Sequence, residues 1–437
     1  MIRLSNTTKK LQAVLGGAIT TSQPQAVVSF YDENNAGEQT RGADQETNLN
    51  STTDVDICNA LGTGKESYTR NIDTLTIYNK DTVSATVTVK IDDSGTESIL
   101  IKATIAPNET LTYDHESGWD VITGSSFLMS LTEFGGRLTL VSATPVMTTD
   151  QTAKTTVYFT PYKGNVIPLY NGTYLVPTEF TELSQATTDT TKSPAAVTTN
   201  SNYDLFVWSD SGTLRCTRGP AWSSDTSRGT GAGTTELELV KGVYLNKVAI
   251  TNGPAANRGT YVGTVRSNGS SQIDWKLGSA AANGGEAFFG VWNNYNRVLV
   301  SWNVQDTTDS YTYQSTTIRA MNGSNTNRAT FVRGLDEDGV FCQNSQTIGT
   351  SASGDVPVIS IGLDATNAFA ANASLGFQQT GSPVANSTET HYSGLPGIGL
   401  HYLQCVEKCS AAVAACQFYG DQGGTIIRQA FIGLARA

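Results

Sequence analysis

The sequence predicts a mainly β protein, and three observations favour this fold class. Hydrophobic residues make up only 38% and charged residues only 15% of the 437 residues, while Thr, Ser, Asn and Gly are abundant. Segments such as "IDTLTIYNKD" and "SATVTVKIDD" alternate apolar and polar residues with the period of a half-buried strand. Turn-forming Gly, Asn and Pro punctuate the chain, and the periodic arrays of long amphipathic helices are scarce.

Residues 1–125 are expected to form an N-terminal β-sandwich domain. Short alternating segments are separated by turn signals, as in "ILIKATIAP" followed by "ETLTYDHESGWDVI". The start, "MIRLSNTTKKLQAVLGGAITT", has a short apolar patch broken by Gly and Thr, so an ordered first strand is expected rather than a signal peptide. Residues 31–54 are polar and lack periodicity, which predicts a long loop or a segment ordered by a partner.

Residues 126–200 are expected to form an interrupted β stalk. Pro and Gly cut this segment into pieces too short for a self-sufficient sheet, so neighbouring chains would complete its core. Residues 201–437 are expected to form a C-terminal β-rich head, because strand signals return and five of the six tryptophans fall there. Within it, the Ala-rich residues 362–379 and residues 399–424 resemble helical pieces.

The charge balance argues against nucleic acid and membrane as the main partner. The formal net charge is −11, and such an acidic chain repels nucleic-acid phosphates and anionic lipid. No run of about 18 apolar residues is present, so no membrane insertion is expected.

Motifs that carry enzymatic chemistry are missing from the sequence, so we expect neither catalysis nor a cofactor or metal. It contains no GxSxG, HExxH, Walker or GxGxxG element, and His115, His391 and His401 are widely spread. The densest carboxylate run, Asp336 to Asp338, is expected to be a solvated turn; calcium binding and a glycosidase acid are the alternatives.

Three of the six cysteines, Cys405, Cys409 and Cys416, crowd one short segment. A zinc site lacks a fourth ligand and a CxxC pair. Idle buried thiols are one interpretation. Disulfides formed after release from a reducing cytoplasm, within or between chains, are the other.

Arginine and aromatic residues recur together in the head. Stacked Arg–aromatic pairs serve protein interfaces and sugar-binding surfaces alike, and interface packing is the favoured interpretation. The candidate surface or interface anchors are Arg215, Arg218, Trp222, Arg258, Trp275, Trp292, Tyr295 and Arg297.

Long stretches of the chain resemble structural proteins of tailed bacteriophages and prophages. The resemblance lies in "MIRLSNTTKKLQAVLGGAITTSQPQAVVSFYD", in "TTVYFTPYKGNVIPLYNGTYLVPTEFTELSQ" and in "LFVWSDSGTLRCTRGPAWSSDTSRGTGAGTTELELVKGVYLNKVAITNG" with the following "GVWNNYNRV". It covers most of residues 1–345, and the C-terminal part matches less well. The resemblance implies a homotrimeric virion component, assembled in the host cytoplasm, whose N-terminal end is attached and whose C-terminal end projects.

These observations lead to three functional expectations. The first is a trimeric fibre or spike at the phage head or neck (collar), docked on capsid, portal or tail proteins through residues 1–125 and trimerised by residues 126–200. The second is a tail fibre whose head binds a host surface glycan. The third is a tailspike that cleaves polysaccharide with Asp336, Glu337 or Asp338, and it ranks last because no β-helix repeat is visible.

Overall fold

The computed structural model describes residues 2–50, 52–122, 134–350, 355–378, 385–424 and 426–437. Strands account for 55% of the residues, and no α-helix occurs in the described ranges. The prediction of a mainly β protein is therefore confirmed. The chain divides into two compact units, Met1–Met129 and Ser130–Ala437.

The described part of the first unit consists of eleven strands. In chain order they are β1 (Ile2–Leu4), β2 (Lys9–Leu15), β3 (Gln25–Asn34), β4 (Gln39–Arg41), β5 (Gln45–Asn48), β6 (Val55–Cys58), β7 (Tyr68–Tyr78), β8 (Ala85–Asp93), β9 (Thr96–Ile105), β10 (Thr110–Asp114) and β11 (Gly118–Ile122). Residues 2–15 thus contain the two strands β1 and β2.

Two antiparallel sheets enclose the core of the first unit. One has the order β11-β10-β7-β3-β4, with β1 also paired to β7 and β5 to β3; the other has the order β6-β2-β8-β9. Because successive side chains of a strand point to opposite faces, every second residue of β3 from Ala26 to Asp32 is buried, as are Val87 and Val89 of β8. Val28 of the larger sheet shares this core with Leu11 and Val89 of the smaller one. Two sheets on one core form a β-sandwich.

The polar residues 31–54 are not the long loop that the sequence predicts. The end of β3 pairs with β4, and the beginning of β3 pairs with β5. Asp32 is buried within β3, where its carboxylate accepts hydrogen bonds from Arg70, its neighbour on β7, and from Lys65. Charge pairing across the sheet therefore compensates for the missing apolar alternation.

The described part of the second unit contains twenty-five strands and two 3₁₀ turns. The strands are β12 (Gly136–Thr139), β13 (Gln151–Lys154), β14 (Thr156–Pro161), β15 (Val166–Tyr170), β16 (Leu175–Glu179), β17 (Leu183–Ala186), β18 (Asn202–Asp210), β19 (Thr213–Ala221), β20 (Leu237–Val240), β21 (Val243–Asn246), β22 (Thr260–Arg266), β23 (Ile273–Ala281), β24 (Gly285–Phe289), β25 (Val291–Asn293), β26 (Leu299–Asp306), β27 (Ser310–Tyr313), β28 (Arg319–Ala320), β29 (Arg328–Arg333), β30 (Val340–Thr350), β31 (Pro357–Leu363), β32 (Gly376–Phe377), β33 (Asn386–Gly394), β34 (Gly399–Cys409), β35 (Cys416–Tyr419) and β36 (Ala430–Arg436). The 3₁₀ turns are Met321–Gly323 and Gln422–Gly424.

The largest sheet of the second unit has fourteen strands. Its main path is β27-β35-β30-β36-β26-β23-β24-β29-β34-β31-β32, and β13, β28 and β33 join it at the side. Pairing is antiparallel except between β23 and β26 and between β24 and β29. A six-stranded sheet (β19-β18-β22-β21-β20, with β25 on β22), a three-stranded sheet (β12-β14-β17) and the hairpin β15-β16 complete the unit.

A row of aromatic rings fills the core beneath the largest sheet. The ring centroids of Trp275 and Phe289 are 4.8 Å apart, those of Phe289 and Trp302 6.0 Å, and those of Trp302 and Phe431 5.9 Å. Gly433 makes room for the last pair, because a Cβ atom there would lie only 2.1 Å from Cζ2 of Trp302. Close packing of large rings therefore holds β23, β24, β26 and β36 together.

Residues 134–200 belong to the same compact unit as residues 201–437, which differs from the separate stalk that the sequence predicts. Leu138 and Phe159 lie in one hydrophobic cluster with Leu205 and Trp275. The short strands of this segment find partners within their own chain; β13, for example, pairs with β23. Interrupted strands need neighbours to complete a core, and distant segments of one chain supply them here.

The two helix-like pieces of the sequence contain no α-helix in the described residues, and only the 3₁₀ turn Gln422–Gly424 is helical. Residues 399–424 contain β34 and β35, and β34 lies between β29 and β31 in the largest sheet. A central strand is covered on both faces and loses its alternation, as the run of buried residues from Leu403 to Glu407 shows. Residues 362–378 contain only the two-residue strand β32 and the end of β31.

Candidate functional site

Four of the eight predicted surface anchors are buried inside the second unit. Arg218, Trp222, Trp275 and Trp292 keep 2%, 6%, 1% and 0% of their surface exposed. The prediction that they lie at the surface is wrong, because a unit with this many strands needs large side chains to fill its interior. The sequence around these four residues does not show whether they fill the core or lie at a binding surface.

Arg218 stabilises a neighbouring loop from the inside. Its guanidinium donates to the carbonyl oxygens of Ala186 at 3.0 Å, Asp189 at 3.1 Å and Ala195 at 2.5 Å. Burial lowers the pKa of Arg218. The fixed fork of the guanidinium therefore joins three points of residues 186–195 to β19.

Two further predicted anchors, Arg215 and Arg258, are exposed and make only surface polar contacts. Arg215 lies 3.6 Å from the carboxylate of Asp210. Arg258 donates to the carbonyl oxygen of Tyr170 at 3.3 Å. Both interactions are of the exposed kind that contributes little to stability.

The clustered cysteines do not act as one group. Cys409 and Cys416 form a disulfide within the chain, with their Cα atoms 6.2 Å apart. Cys405 is a buried free thiol, and burial raises its pKa well above the ordinary value. All three side chains are inaccessible in this conformation, which disfavours the predicted links between chains.

The carboxylate run Asp336–Asp338 forms a turn that pairs with Arg297. Nη1 of Arg297 lies 2.7 Å from Glu337 and 2.5 Å from Asp338. Asp338 is buried and also accepts a hydrogen bond from the indole N–H of Trp292 at 3.3 Å. Two of the three carboxylates thus hold a cation of the same chain.

The last two predicted anchors, Tyr295 and Arg297, line an open cavity of about 390 Å³ together with residues that the sequence did not indicate. The full lining is Phe134, Lys163, Asn294, Tyr295, Asn296, Arg297 and Arg436, and we name this the basic cavity. The rings of Phe134 and Tyr295 stack with centroids 3.3 Å apart and planes at 6°. Three cationic side chains and two aromatic rings therefore converge on one opening.

A second open cavity, of about 490 Å³, shares Arg436 with the basic cavity. Its lining includes Glu337 and Asp338 on one side and Phe341 and Leu434 on the other. Carboxylates, an arginine and apolar side chains thus meet beside the turn of residues 334–339.

The second cavity opens on an exposed apolar face of the largest sheet. We name the outer face the outward side of β26, β36 and β30, formed by Leu299, Phe341, Ile432 and Leu434. These side chains keep 64%, 45%, 44% and 40% of their surface exposed. Leu434 stands beside Phe341 in the strand register, and Ile432 follows on the same side of β36. Ser301, Asn303 and Gln343 face the same side, and Leu299 stands opposite Arg436, so the patch is apolar with a polar border. Such patches mark surfaces that contact other molecules.

Sequence reasoning missed the outer face although a signal for it is present. In "AFIGLAR" apolar residues occupy both faces of β36: Phe431 points inward, and Ile432 and Leu434 point outward. A strand that is apolar on both faces must be covered on both or remain exposed on one. Lys163 and Arg436 carried no such signal, because only folding brings them near Arg297.

No protein-family model matches this chain, and no characterised protein matches it either. Within the described ranges no group of three or more His, Cys, Asp or Glu side chains could hold a metal ion. None of the helices in the same ranges is long and apolar enough to cross a membrane.

Proposed function

We propose that the protein is a structural component of a phage particle, assembled as a homotrimeric fibre or spike at the head or neck. The resemblance of most of residues 1–345 to phage structural proteins supports the assignment to a phage particle. The outer face supports the self-assembly, and it is the observation that carries the proposal.

The outer face suits contact with further copies of the chain. Four exposed apolar side chains lie on neighbouring antiparallel strands, and covering them removes apolar surface from water. Closed symmetric assembly would cover such a face in every copy, whereas an uncovered face invites aggregation. In this proposal the second unit supplies the contact between chains.

The charge of the first unit favours attachment to a basic partner. Residues 1–129 contain seventeen Asp and Glu against nine Lys and Arg, a formal charge of −8 out of −11 for the whole chain. An acidic surface of this kind steers association with a positively charged surface. We assign docking on capsid, portal or tail proteins to this unit.

Light scattering coupled to size-exclusion chromatography tests the self-assembly. We expect the full chain to run as a trimer and Leu434→Asp to shift it to monomer, because assembly would have to remove a charged carboxylate from water. Leu239→Asp is the matched control, since Leu239 is a comparably exposed leucine on β20. A monomeric wild-type chain would contradict the proposal, and so would a trimer indifferent to Leu434→Asp.

Cryo-electron microscopy of intact particles tests the location. Threefold density at the head or neck that accommodates both units supports the proposal. Density for this chain at the tail tip contradicts the assigned position and favours host recognition.

Recognition of a host surface glycan is the second candidate function, and the basic cavity favours it. Three cations, two asparagines and two aromatic residues line an open cavity of several hundred Å³, and these are side chains that contact polar ligands such as sugars. Saturable binding of the labelled full chain to host cells tests this function. Absence of such binding argues against it.

A further inference from the structure

We propose that the basic cavity binds an anionic saccharide, with Lys163 and Arg436 contacting its carboxylate or phosphate group. This inference rests on the second proposed function, glycan recognition, and names the class of ligand. The basic cavity has none of the four outer-face residues in its lining, so its part of the inference is independent of the trimer. The second cavity shares Leu299, Phe341 and Leu434 with the outer face and is open only where further copies do not cover that face.

The charge of the lining selects for an anion. Lys163, Arg297 and Arg436 are three of the seven described residues around the cavity, and none of the seven is acidic. Arg297 is already paired with Glu337 and Asp338, so its charge is largely compensated. Lys163 and Arg436 make no ion pair with any described residue, which leaves two cations to contact a ligand in a chain that is acidic overall.

The cavity is built on a rigid framework. Arg137, which is buried, donates from Nη1 to the carbonyl oxygen of Asn296 at 2.9 Å and from Nη2 to that of Ala437 at 2.8 Å. Val298 and Ala437 also exchange two backbone hydrogen bonds of 3.0 Å. The loop that carries Arg297 is thereby joined to the end of β36 that carries Arg436. Arg137 is a positioning residue for this cavity.

The remaining groups match the neutral part of a sugar. Phe134 and Tyr295, whose rings stack on each other, add a small apolar area to the lining for the C–H groups of a sugar. Nδ2 of Asn296 donates to the carbonyl oxygens of Phe134 and Gly136, so its Oδ1 remains as an acceptor for a hydroxyl group.

The second cavity extends the site toward hydrogen-bond acceptors. Arg436 lines both cavities, and Glu337 and Asp338 line the second. Carboxylates accept hydrogen bonds from sugar hydroxyls but repel a second anionic group. The arrangement therefore favours an oligosaccharide whose anionic group lies on the Lys163 side.

Isothermal titration of the full chain with three matched probes tests the inference. The probes are maltotriose, maltotriose 6-phosphate and trigalacturonate, which separate a neutral, a phosphate-bearing and a carboxylate-bearing ligand. We expect at least one anionic probe to bind more tightly than maltotriose, and its affinity to fall when the salt concentration rises from about 0.05 to about 0.5 M. Which anionic probe binds identifies the source of the charge.

Three variants locate the binding. Lys163→Gln and Arg436→Gln are each expected to weaken the anionic probe by about tenfold, the effect of losing one charge-assisted hydrogen bond. Arg428→Gln is the matched control, because Arg428 is exposed and lines neither cavity; its affinity should equal that of the wild type. Unchanged thermal unfolding of the variants shows that the fold is retained.

Four outcomes decide between the inference and the function on which it rests. Equal affinity for maltotriose and the anionic probes overturns the inference and leaves glycan recognition standing. Anionic binding that neither variant weakens also overturns it. If no probe binds while the labelled chain still binds host cells, the ligand class is wrong and recognition stands. If neither probes nor cells bind, both fail.

Discussion

At the residue scale, Glu407 has the most unusual environment of the described carboxylates. It is fully buried on β34, where its carboxylate accepts hydrogen bonds from Tyr311 Oη at 2.6 Å, Arg319 Nε at 2.9 Å and the backbone N–H of Asn322 at 3.2 Å. Burial raises the pKa of Glu407 to about 7, and the three donors offset this effect only in part. The carboxyl group therefore changes protonation near neutral pH.

We expect Glu407 to make the second unit less stable as the pH rises from about 4.5 to about 7. The folded-state pKa lies above the ordinary value of 4.5, so the folded chain holds this proton more tightly than the unfolded chain. The resulting stabilisation is complete below the ordinary pKa and disappears as the pH rises through the folded-state pKa, a loss of up to about 3 kcal/mol. Urea unfolding of wild type and Glu407→Gln across this range measures it, and the variant should lack the decline.

Glu238→Gln provides the control, because Glu238 is an exposed strand residue. Its unfolding free energy should follow the wild type at every pH. Parallel curves for wild type and Glu407→Gln would show that the carboxyl group does not titrate in this range. A wild type that gains stability over Glu407→Gln with rising pH would show that the ion pair with Arg319 outweighs burial.

At the scale of elements, the connection from β34 to β35 is held at two points. The disulfide between Cys409 and Cys416 joins the end of one strand to the start of the next. Between them, the carboxylate of Asp355 accepts the backbone N–H groups of Ala411, Val413 and Ala414 at 2.6 to 2.9 Å. These three N–H groups have no partner within a strand, and the carboxylate of Asp355 supplies the hydrogen-bond acceptor that buried backbone requires.

Thiol counting checks the disulfide. We expect four reactive thiols per chain after denaturation without reductant, from Cys58, Cys216, Cys342 and Cys405, and six after reduction. The folded chain should show almost none, because all four are buried. Replacing Cys409 and Cys416 by serine should cost about 2 kcal/mol, the entropy of closing a short loop.

A gel distinguishes a disulfide within one chain from a disulfide between chains, which the sequence also allowed. A non-reducing denaturing gel should show monomer bands only. Disulfide-linked dimers or trimers would place the bond between chains, and six thiols before reduction would remove the bond altogether.

Strand alternation was the most informative part of the sequence. "SATVTVKIDD" predicted β8 because its valines are buried and its threonines are not. The same rule failed for β34, whose central position buries Gln404 and Glu407 as fully as Leu403. It also failed for the site: Tyr295 and Arg297 were indicated by local composition, whereas Lys163 and Arg436 reach them only through long-range folding. Alternation along a strand predicts which of its side chains are buried. It cannot predict a site whose residues are far apart in the sequence and meet only after folding.

At the scale of the whole molecule, the two units divide charge and apolar surface unequally. The first carries most of the net negative charge and encloses its core between two sheets. The second carries the outer face, the basic cavity and the second cavity. This division assigns docking to the first unit and contact between copies to the second, and it makes the two roles separable by cutting the chain.

We expect residues 134–437 to self-associate like the full chain and residues 2–122 to remain monomeric. Each fragment contains hydrophobic core of its own unit, so each should fold without the other, and the smaller fragment should unfold in one cooperative transition. Sedimentation equilibrium of both fragments, with Leu434→Asp in the larger one, measures the association. If the outer face is the contact, the substitution dissociates residues 134–437 as it does the full chain. A self-associating fragment 2–122 beside a monomeric 134–437 would move the contact to the acidic unit, where apolar burial would have to overcome like-charge repulsion between copies.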